Sequence, residues 1–408
     1  MRILNVIGSV DPRNGGTTDH VFSSSEVWSR HGHECHVLCL DPPDSACVVR
    51  SPLVTFALGE KGRYLESARR LFPFLRYGYT PRLGNWLRRN AKNYDAIILN
   101  GLWNYTSFGS WIALRMSDVP YYLCPHGMLD PWLKEAHPVK HSLRTIFWNL
   151  FEKRVFRDAR DILFASEEEK QLANRSFLQG SSRGHVLGYG TRDVPDEAEI
   201  QKATFQTKYD RMRGRKLILF LSRIHPKKGL DLLIRAFARH AGEFAEFDLV
   251  IAGPDDVGTK SRLVKISAEL GVDTRIHWTG MLTGDAKWGA FRSATFFVLP
   301  SHQENFGIAV VEALACSVPV LVTKKVNIWQ EVESSGAGHA VSDTVEGIAD
   351  GLHHMCSLSR PQRDLMAANA RFCFSGRFDL EKNAMELIDL MASLNRHSGE
   401  SVYRHRMG

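Results

Sequence analysis

The chain has 408 residues, 44% hydrophobic and 24% charged, a soluble globular composition too long for one small core, so two domains are the default. Its formal net charge of +7 and pI near 9.0 favour anionic partners: phosphates, nucleic acid or an acidic membrane surface. No apolar run reaches the ~18 residues that span a bilayer, and 1-MRILNVIG-8 enters a strand pattern without the layout of a signal peptide, which predicts a cytoplasmic protein.

Short apolar strands alternate with helix-like segments, the signature of parallel α/β domains. The first strand, 2-RILNVIG-8, leads into the loop 8-GSVDPRNGGTTDH-20. Gly15-Gly16 there lets backbone amides approach an anion at a helix start. The loop is not GxGxxG, so an ordinary βα turn fits it as well. The histidines of 31-HGHECH-36 straddle a helix end and a strand start and would not face one point, which argues against zinc. Strands follow at 35-CHVLCL-40 and 53-LVTFAL-58. The stretch 61-KGRYLESARRLFPFLRYGYTPRLGNWLRRN-90 mixes Arg and Lys with aromatics and holds one acid, Glu66. It reads equally as a membrane-surface patch, with Arg69, Arg70, Arg88 and Arg89 as its cations, or as a solvated helical face plus a loop.

Strands are expected at 95-DAIILN-100 and 120-PYYLCP-125, the second ending just before His126, where a ligand cleft should lie. A buried structural histidine is the other reading of that position. A helix over about 139–158 carries Leu143, Phe147, Leu150, Phe151 and Val155 at helical spacing, as core contacts. Strands at 161-DILFAS-166 and 185-HVLGYG-190 close the first series, and the polar stretch 192–216 is placed between domains.

The second series reads 217-LILFLS-222, 248-DLVIAG-253, 276-IHWTG-280, 296-FFVLP-300 and 319-PVLVT-323, with a last helix over about 379–395. After its first strand, 221-LSRIHPKKGLD-231 sets Arg223 and Lys228 five apart on a loop constrained by Pro226 and Gly229, suited to a diphosphate, with a solvated charged turn as the other reading. In 251-IAGPDDVG-258, Gly253 permits close backbone approach, and Asp255 and Asp256 read as helix-capping acids, since no DxD occurs. After the fourth strand comes 304-ENFGIAVVE-312. Its amides at Asn305, Phe306 and Gly307 would face an anion at a helix start. Glu304 and Glu312 could each hold sugar hydroxyls, since a carboxylate accepts two hydrogen bonds in a plane. Capping explains each acid singly but not the two together with Arg223 and Lys228. The seven cysteines are odd in number, scattered and without CxxC, as expected of reduced core thiols.

On these residues the chain resembles the retaining glycosyltransferases of family 4, with the GT-B fold of two Rossmann-like domains facing each other across a cleft. The Glu304–x7–Glu312 pair, the 222-SRIHPKKG-229 loop, Gly15-Gly16 and 125-PHGMLDPW-132 carry the likeness. It departs where 188-GYGTRD-193 replaces an Asn-Gly-hydrophobic-Asp run, and where Ser317 stands for a frequent glycine. The resemblance implies an acceptor-binding domain over 1–195, a nucleotide-sugar domain over 196–378, and a helix over 379–408 crossing back to the first. It implies transfer of a sugar to a hydroxyl of an acceptor glycan, without metal or other cofactor; the basic-aromatic patch at 61–90 points to a lipid-linked acceptor bound for a surface polysaccharide. Arg223, Lys228 and the Phe306–Gly307 amides would take the leaving diphosphate; Glu304 and His126 would meet the donor sugar, and Glu312 the ribose. Peripheral contact with the cytoplasmic membrane face would run through 61–90. The alternatives are a nucleotide-sugar epimerase, a sugar phosphorylase of the same shape, and a basic nucleic-acid-binding protein, which lacks a recognisable motif.

Overall fold

The computed structural model describes residues 1–60, 77–132, 138–178, 183–187 and 189–406. Two compact units result: Met1–Gly190 with Leu380–Gly408, and Thr191–Asp379.

The first unit is built on a seven-stranded parallel sheet. Its strands are β1 (Arg2–Ile7), β2 (Glu34–Cys39), β3 (Val54–Ala57), β4 (Ala96–Asn100), β5 (Tyr121–Cys124), β6 (Asp161–Phe164) and β7 (His185–Val186). Their order, β3-β2-β1-β4-β5-β6-β7, reverses direction between β1 and β4, the Rossmann switch point. The strands read as continuous apolar runs because both faces are covered. One face packs Leu4, Val6, Ile97, Leu99 and Leu123. On the other, Ile3, Ile98 and Tyr122 meet Val27 and Trp28 of the helix Gly16–Arg30, with Leu380, Ala384, Leu387, Ile388 and Met391 of the helix Leu380–Arg406.

The second unit carries a six-stranded parallel sheet in the order β10-β9-β8-β11-β12-β13. Its strands are β8 (Lys216–Leu221), β9 (Phe247–Ala252), β10 (Ile276–Gly280), β11 (Ala294–Leu299), β12 (Val320–Thr323) and β13 (Gly338–Val341). Here the switch point lies between β8 and β11. β13 was not expected: 338-GHAV-341 is short, opens on glycine and histidine, and buries two residues fully. The stretch 192–216 holds a helix, Ala198–Lys208, which buries Phe205 and lies so close to the helix Gly284–Ser293 that a Cβ on Gly289 would sit 2.0 Å from the Gln201 carbonyl oxygen.

The helix expected over 139–158 is divided into Pro138–Phe147, a π segment Trp148–Glu152 and Lys153–Asp158. A π turn takes in an extra residue, so extrapolated 3.6-residue spacing loses phase across it. Val155 is buried as expected, but Leu143 is 63% and Leu150 51% exposed, while Trp148, Glu152 and Phe156 turn inward instead. Of the basic-aromatic patch, 61–76 lies outside the described residues. The described remainder includes the helix Pro81–Asn90, which buries Leu83 and Leu87 and exposes Arg82, Arg88 and Arg89.

Candidate active site

The second unit gathers the expected cations and acids at its switch point. The β8 loop ends in a short turn, Pro226–Lys228, and Gly229 (φ 65) then caps the helix Leu230–His240. A Cβ on Gly229 would fall 2.0 Å from the carbonyl oxygen of Pro300, just past β11, so only glycine lets the two loops touch. His302 N–H bonds the Lys227 carbonyl at 2.9 Å, and Lys227 Nζ reaches Gln303 Oε1 at 2.9 Å. Lys228 Nζ, lying between the loops, pairs with Glu304. A second strap holds Glu304 from the far side: its N–H bonds the Lys325 carbonyl and its carbonyl takes the Asn327 N–H, both at 2.9 Å.

Arg223 is exposed and forms no ion pair with a described residue. His225, between these cations, is held below the ordinary histidine range, by burial first and then by the charges of Arg223, Lys227 and Lys228. The helix Ile308–Ala315 starts from Gly307, in left-handed conformation; Val310 and Val311 N–H bond the Gly307 carbonyl at 2.8 and 3.3 Å, which leaves the Ile308 and Ala309 amides without an acceptor within the helix. Phe306 is buried, its ring 5.7 Å from that of Phe378, so its backbone alone is at hand. Asn305 Oδ1 accepts from Asn327 Nδ2 at 3.3 Å. Glu312, 7% exposed, is paired at 2.5 Å with Lys287 Nζ, a residue that no motif marked in 284-GDAKWGAFRS-293. The close approach that Gly253 permits is internal: a Cβ would meet the Ser222 carbonyl oxygen at 1.9 Å. Asp255 caps a helix start, accepting from Thr259 N at 2.8 Å and Lys260 N at 3.1 Å.

The remaining expected residues belong to the first unit, again at the carboxyl ends of strands. Gly15 (φ 79) precedes the helix Gly16–Arg30, and both glycines are exposed. His126 follows β5 with φ 52, unusual for a residue with a side chain. Its loop is pinned by the buried Glu169, which takes the Gly127 N–H on one oxygen and the Ala165 N–H, at 2.7 Å, on the other. His126 Nε2 lies 3.0 Å from Asn100 Oδ1, and its Nδ1 meets the Tyr189 hydroxyl. Beyond β4, Trp103 is also left-handed (φ 65). Its N–H donates to the buried Glu152 carboxyl at 3.0 Å, its indole Nε1 donates to the Met128 carbonyl at 3.1 Å, and the Arg144 guanidinium lies 5.1 Å from its ring centre. Sequence reasoning missed Asn100, Trp103, Glu152, Tyr189 and Lys287. Only Tyr189 left a signal, since it falls in the stretch 188–193 that departs from the family pattern.

A doubly wound sheet with cations, carboxylates and a helix N-terminus at its switch point defines a nucleotide-binding α/β protein. Family comparison makes this specific. Residues 15–190 match the model of the glycosyl transferase 4-like domain, and residues 201–372 that of the glycosyl transferases group 1. The chain belongs to the group 1 glycosyltransferases of family 4, with the GT-B fold.

Among curated relatives, the D-inositol 3-phosphate glycosyltransferase of Mycobacterium tuberculosis is 29% identical over 325 residues, covering 77% of this chain and 65% of that protein. The protein of the same name from Mycolicibacterium smegmatis is 29% identical over 211 residues, 49% of this chain and 47% of its own length. The chain thus spans between about half and two thirds of these relatives. Among solved structures, Anabaena HepE in complex with UDP and glucose aligns with a TM-score of 0.70 at 19% identity, covering 96% of this chain and 100% of that one. Sucrose-phosphate synthase from Thermosynechococcus elongatus aligns at 0.73 and 17%, covering 96% and 98%. Both likenesses are of fold.

Proposed function

We propose that this chain is a retaining glycosyltransferase that moves a sugar from a nucleotide-sugar to a hydroxyl of an acceptor glycan, with its donor site in the unit Thr191–Asp379. The observation that carries the reading is the convergence on one switch point of Arg223, the Lys228–Glu304 pair, the helix start at Gly307 and the Lys287–Glu312 pair. A nucleoside diphosphate leaves as an anion, and fixed cations and helix-start amides stabilise the charge that develops on it. Arg223 has no ion pair among the described residues and is ready for phosphate oxygens. Lys228 adds a second cation, which would let the chemistry run without a metal. Glu304 would orient the donor sugar, and Glu312, held by Lys287, the ribose hydroxyls. The leaving phosphate would assist attack on the same face, so that configuration is kept.

UDP in the related Anabaena structures and D-inositol 3-phosphate in the names of the curated relatives support a UDP-sugar donor and a phosphorylated acceptor class. Trp103 and Arg144 in the first unit suit such an acceptor, an aromatic face for a sugar ring beside a cation without a carboxylate partner among the described residues. A lipid-linked glycan at an anionic membrane face fits the same chemistry. Among the described residues no helix is long and apolar enough to cross a membrane, and the exposed Arg82, Arg88 and Arg89 would serve peripheral contact.

The test is thermal stability with UDP, GDP, ADP, CDP and dTDP, each with and without magnesium. A diphosphate at 100 times its dissociation constant adds about 2.7 kcal/mol. One base should stabilise the protein without regard to magnesium. Arg223→Ala, which breaks no ion pair with a described residue, should weaken that base by about tenfold or more, the worth of a charged hydrogen bond. Glu312→Ala should weaken it too. Failure of all five diphosphates, and of the intact UDP-sugars, would refute the reading. An epimerase would instead alter the donor sugar with no acceptor present.

A further inference from the structure

A chain of buried polar groups runs beneath the carboxyl ends of β1, β4 and β5 and ends at His126. Asn5 Nδ2 donates to Ser25 Oγ at 3.2 Å. Asn100 Nδ2 donates to Asn5 Oδ1 at 3.1 Å and to the Ile98 carbonyl at 3.3 Å. With its nitrogen committed to two oxygens, Asn100 turns its own oxygen to His126 Nε2, which must therefore carry the proton. In the neutral ring Nδ1 is then a bare acceptor, and the Tyr189 hydroxyl donates to it. His20, from the helix Gly16–Arg30, lies nearly flat on the Tyr189 ring, centroids 3.9 Å apart at 28°, so the phenol is held in place from its other side.

We infer that Tyr189 is a positioning residue for the reaction centre: by capping Nδ1 of His126, it fixes the imidazole between two hydrogen bonds and withholds that nitrogen from proton transfer. The inference rests on the transferase reading and on the family resemblance, which implies that His126 meets the donor sugar, and it assigns His126 a role as a neutral, rigid wall rather than a base. The surroundings agree. Burial first, then the neighbouring His20, keeps the His126 ring from protonating. Burial, then Cys124 and Glu169, keeps the Tyr189 phenol protonated. His20 is itself pushed down to about 4 by burial, so it brings no positive charge at neutral pH. Among the described residues, His20, Cys124 and Glu169 are the titratable groups whose charge bears on the pair.

The experiment is a pH titration of histidine-selective 15N-labelled protein by NMR, read beside kcat and KM for the donor, in the wild-type chain and Tyr189→Phe. Wild-type His126 should stay a single Nε2–H tautomer from about pH 5.5 to 8.5, and the rate profile should show no histidine limb. In Tyr189→Phe, Nδ1 loses its donor while burial remains, so His126 should protonate more readily than in the wild type, its titration moving upward from the wild-type position. An acidic limb should appear in kcat, with kcat down on the order of tenfold and donor KM within about twofold. Nucleoside diphosphate affinity, a property of the other unit, should not change.

Ordinary titration of His126 in the wild-type protein would overturn the inference without any variant. So would a Tyr189→Phe protein that loses turnover while its His126 signal stays as in wild type, since that is a purely structural defect. A variant whose His126 titrates but whose turnover is unaltered would overturn it equally. The NMR measurement needs no substrate, so an intact cap in a chain that transfers no sugar would count against the transferase reading and not against the cap.

Discussion

Glu152 shows how a single residue can carry a cost that sequence does not announce. It lies in the π segment, fully buried, with Oε1 taking the Trp103 N–H at 3.0 Å and the Ser107 hydroxyl at 2.7 Å while Oε2 has no partner among the described residues. Burial pushes its carboxyl up from 4.5 to about 7, against the lowering effect of those two bonds. The folded chain therefore binds the proton more tightly than the unfolded chain, and between those two values folding takes up a proton. Stability from this group is complete below pH 4.5 and is lost as pH rises through 7. At 1.36 kcal/mol per unit the loss is on the order of 3 kcal/mol. Urea unfolding of wild type and Glu152→Gln at pH 5 and 7.5, a window that holds most of that change, should show the wild type losing about 2 kcal/mol more than the variant. Equal losses in the two proteins would rule the account out. What the cost secures is the left-handed backbone of Trp103, strain of the kind found at functional sites.

Elements were legible where their physics is local. Alternating apolar strands and turns placed twelve of the strands, because strands covered on both faces are written as short apolar runs. The π segment and β13 were not legible, since each depends on what packs against it. The helix Ile308–Ala315 adds a testable case at its end. Ser317 N–H bonds the Leu314 carbonyl at 3.0 Å and Val318 N–H the Ala313 carbonyl at 2.9 Å, the paired bonds of a Schellman turn. Such a turn demands a left-handed residue, and Ser317 adopts φ 58. The left-handed form costs a residue with a side chain about 1–2 kcal/mol, part of which glycine returns through its unfolded-state entropy. Ser317→Gly should therefore raise unfolding free energy by roughly 0.5–1 kcal/mol, while Ser317→Ala should gain nothing. A destabilised glycine variant would mean that the turn is not strained.

At the scale of the whole molecule, the helix Leu380–Arg406 is part of the core of the first unit although it lies last in sequence. Trp28 Nε1 donates to the Ala384 carbonyl at 2.8 Å, the Tyr122 hydroxyl to Asn395 Oδ1 at 2.7 Å, and Arg30 pairs with Glu381 at 2.8 Å. Met391 is fully buried in that face. Met391→Ala should cost about 2–5 kcal/mol in denaturant unfolding of this unit, with nucleoside diphosphate affinity unchanged because the residues proposed to hold the diphosphate, Arg223 and Lys228, lie within Thr191–Asp379. A cost below about 1 kcal/mol would show that the helix is not a core element.

The sequence by itself determined the class of this protein. Strand runs, their turns, and the acids and cations after the β8 and β11 segments are local patterns, and the family likeness follows from them. The switch points, the pairing of Lys228 with Glu304 and of Lys287 with Glu312, and the enclosure of His126 by Asn100 and Tyr189 were decided only in three dimensions. The partners in these contacts lie 25 to 76 residues apart. Strand order and loop contact set such distances, and neither is written in the spacing of any one segment.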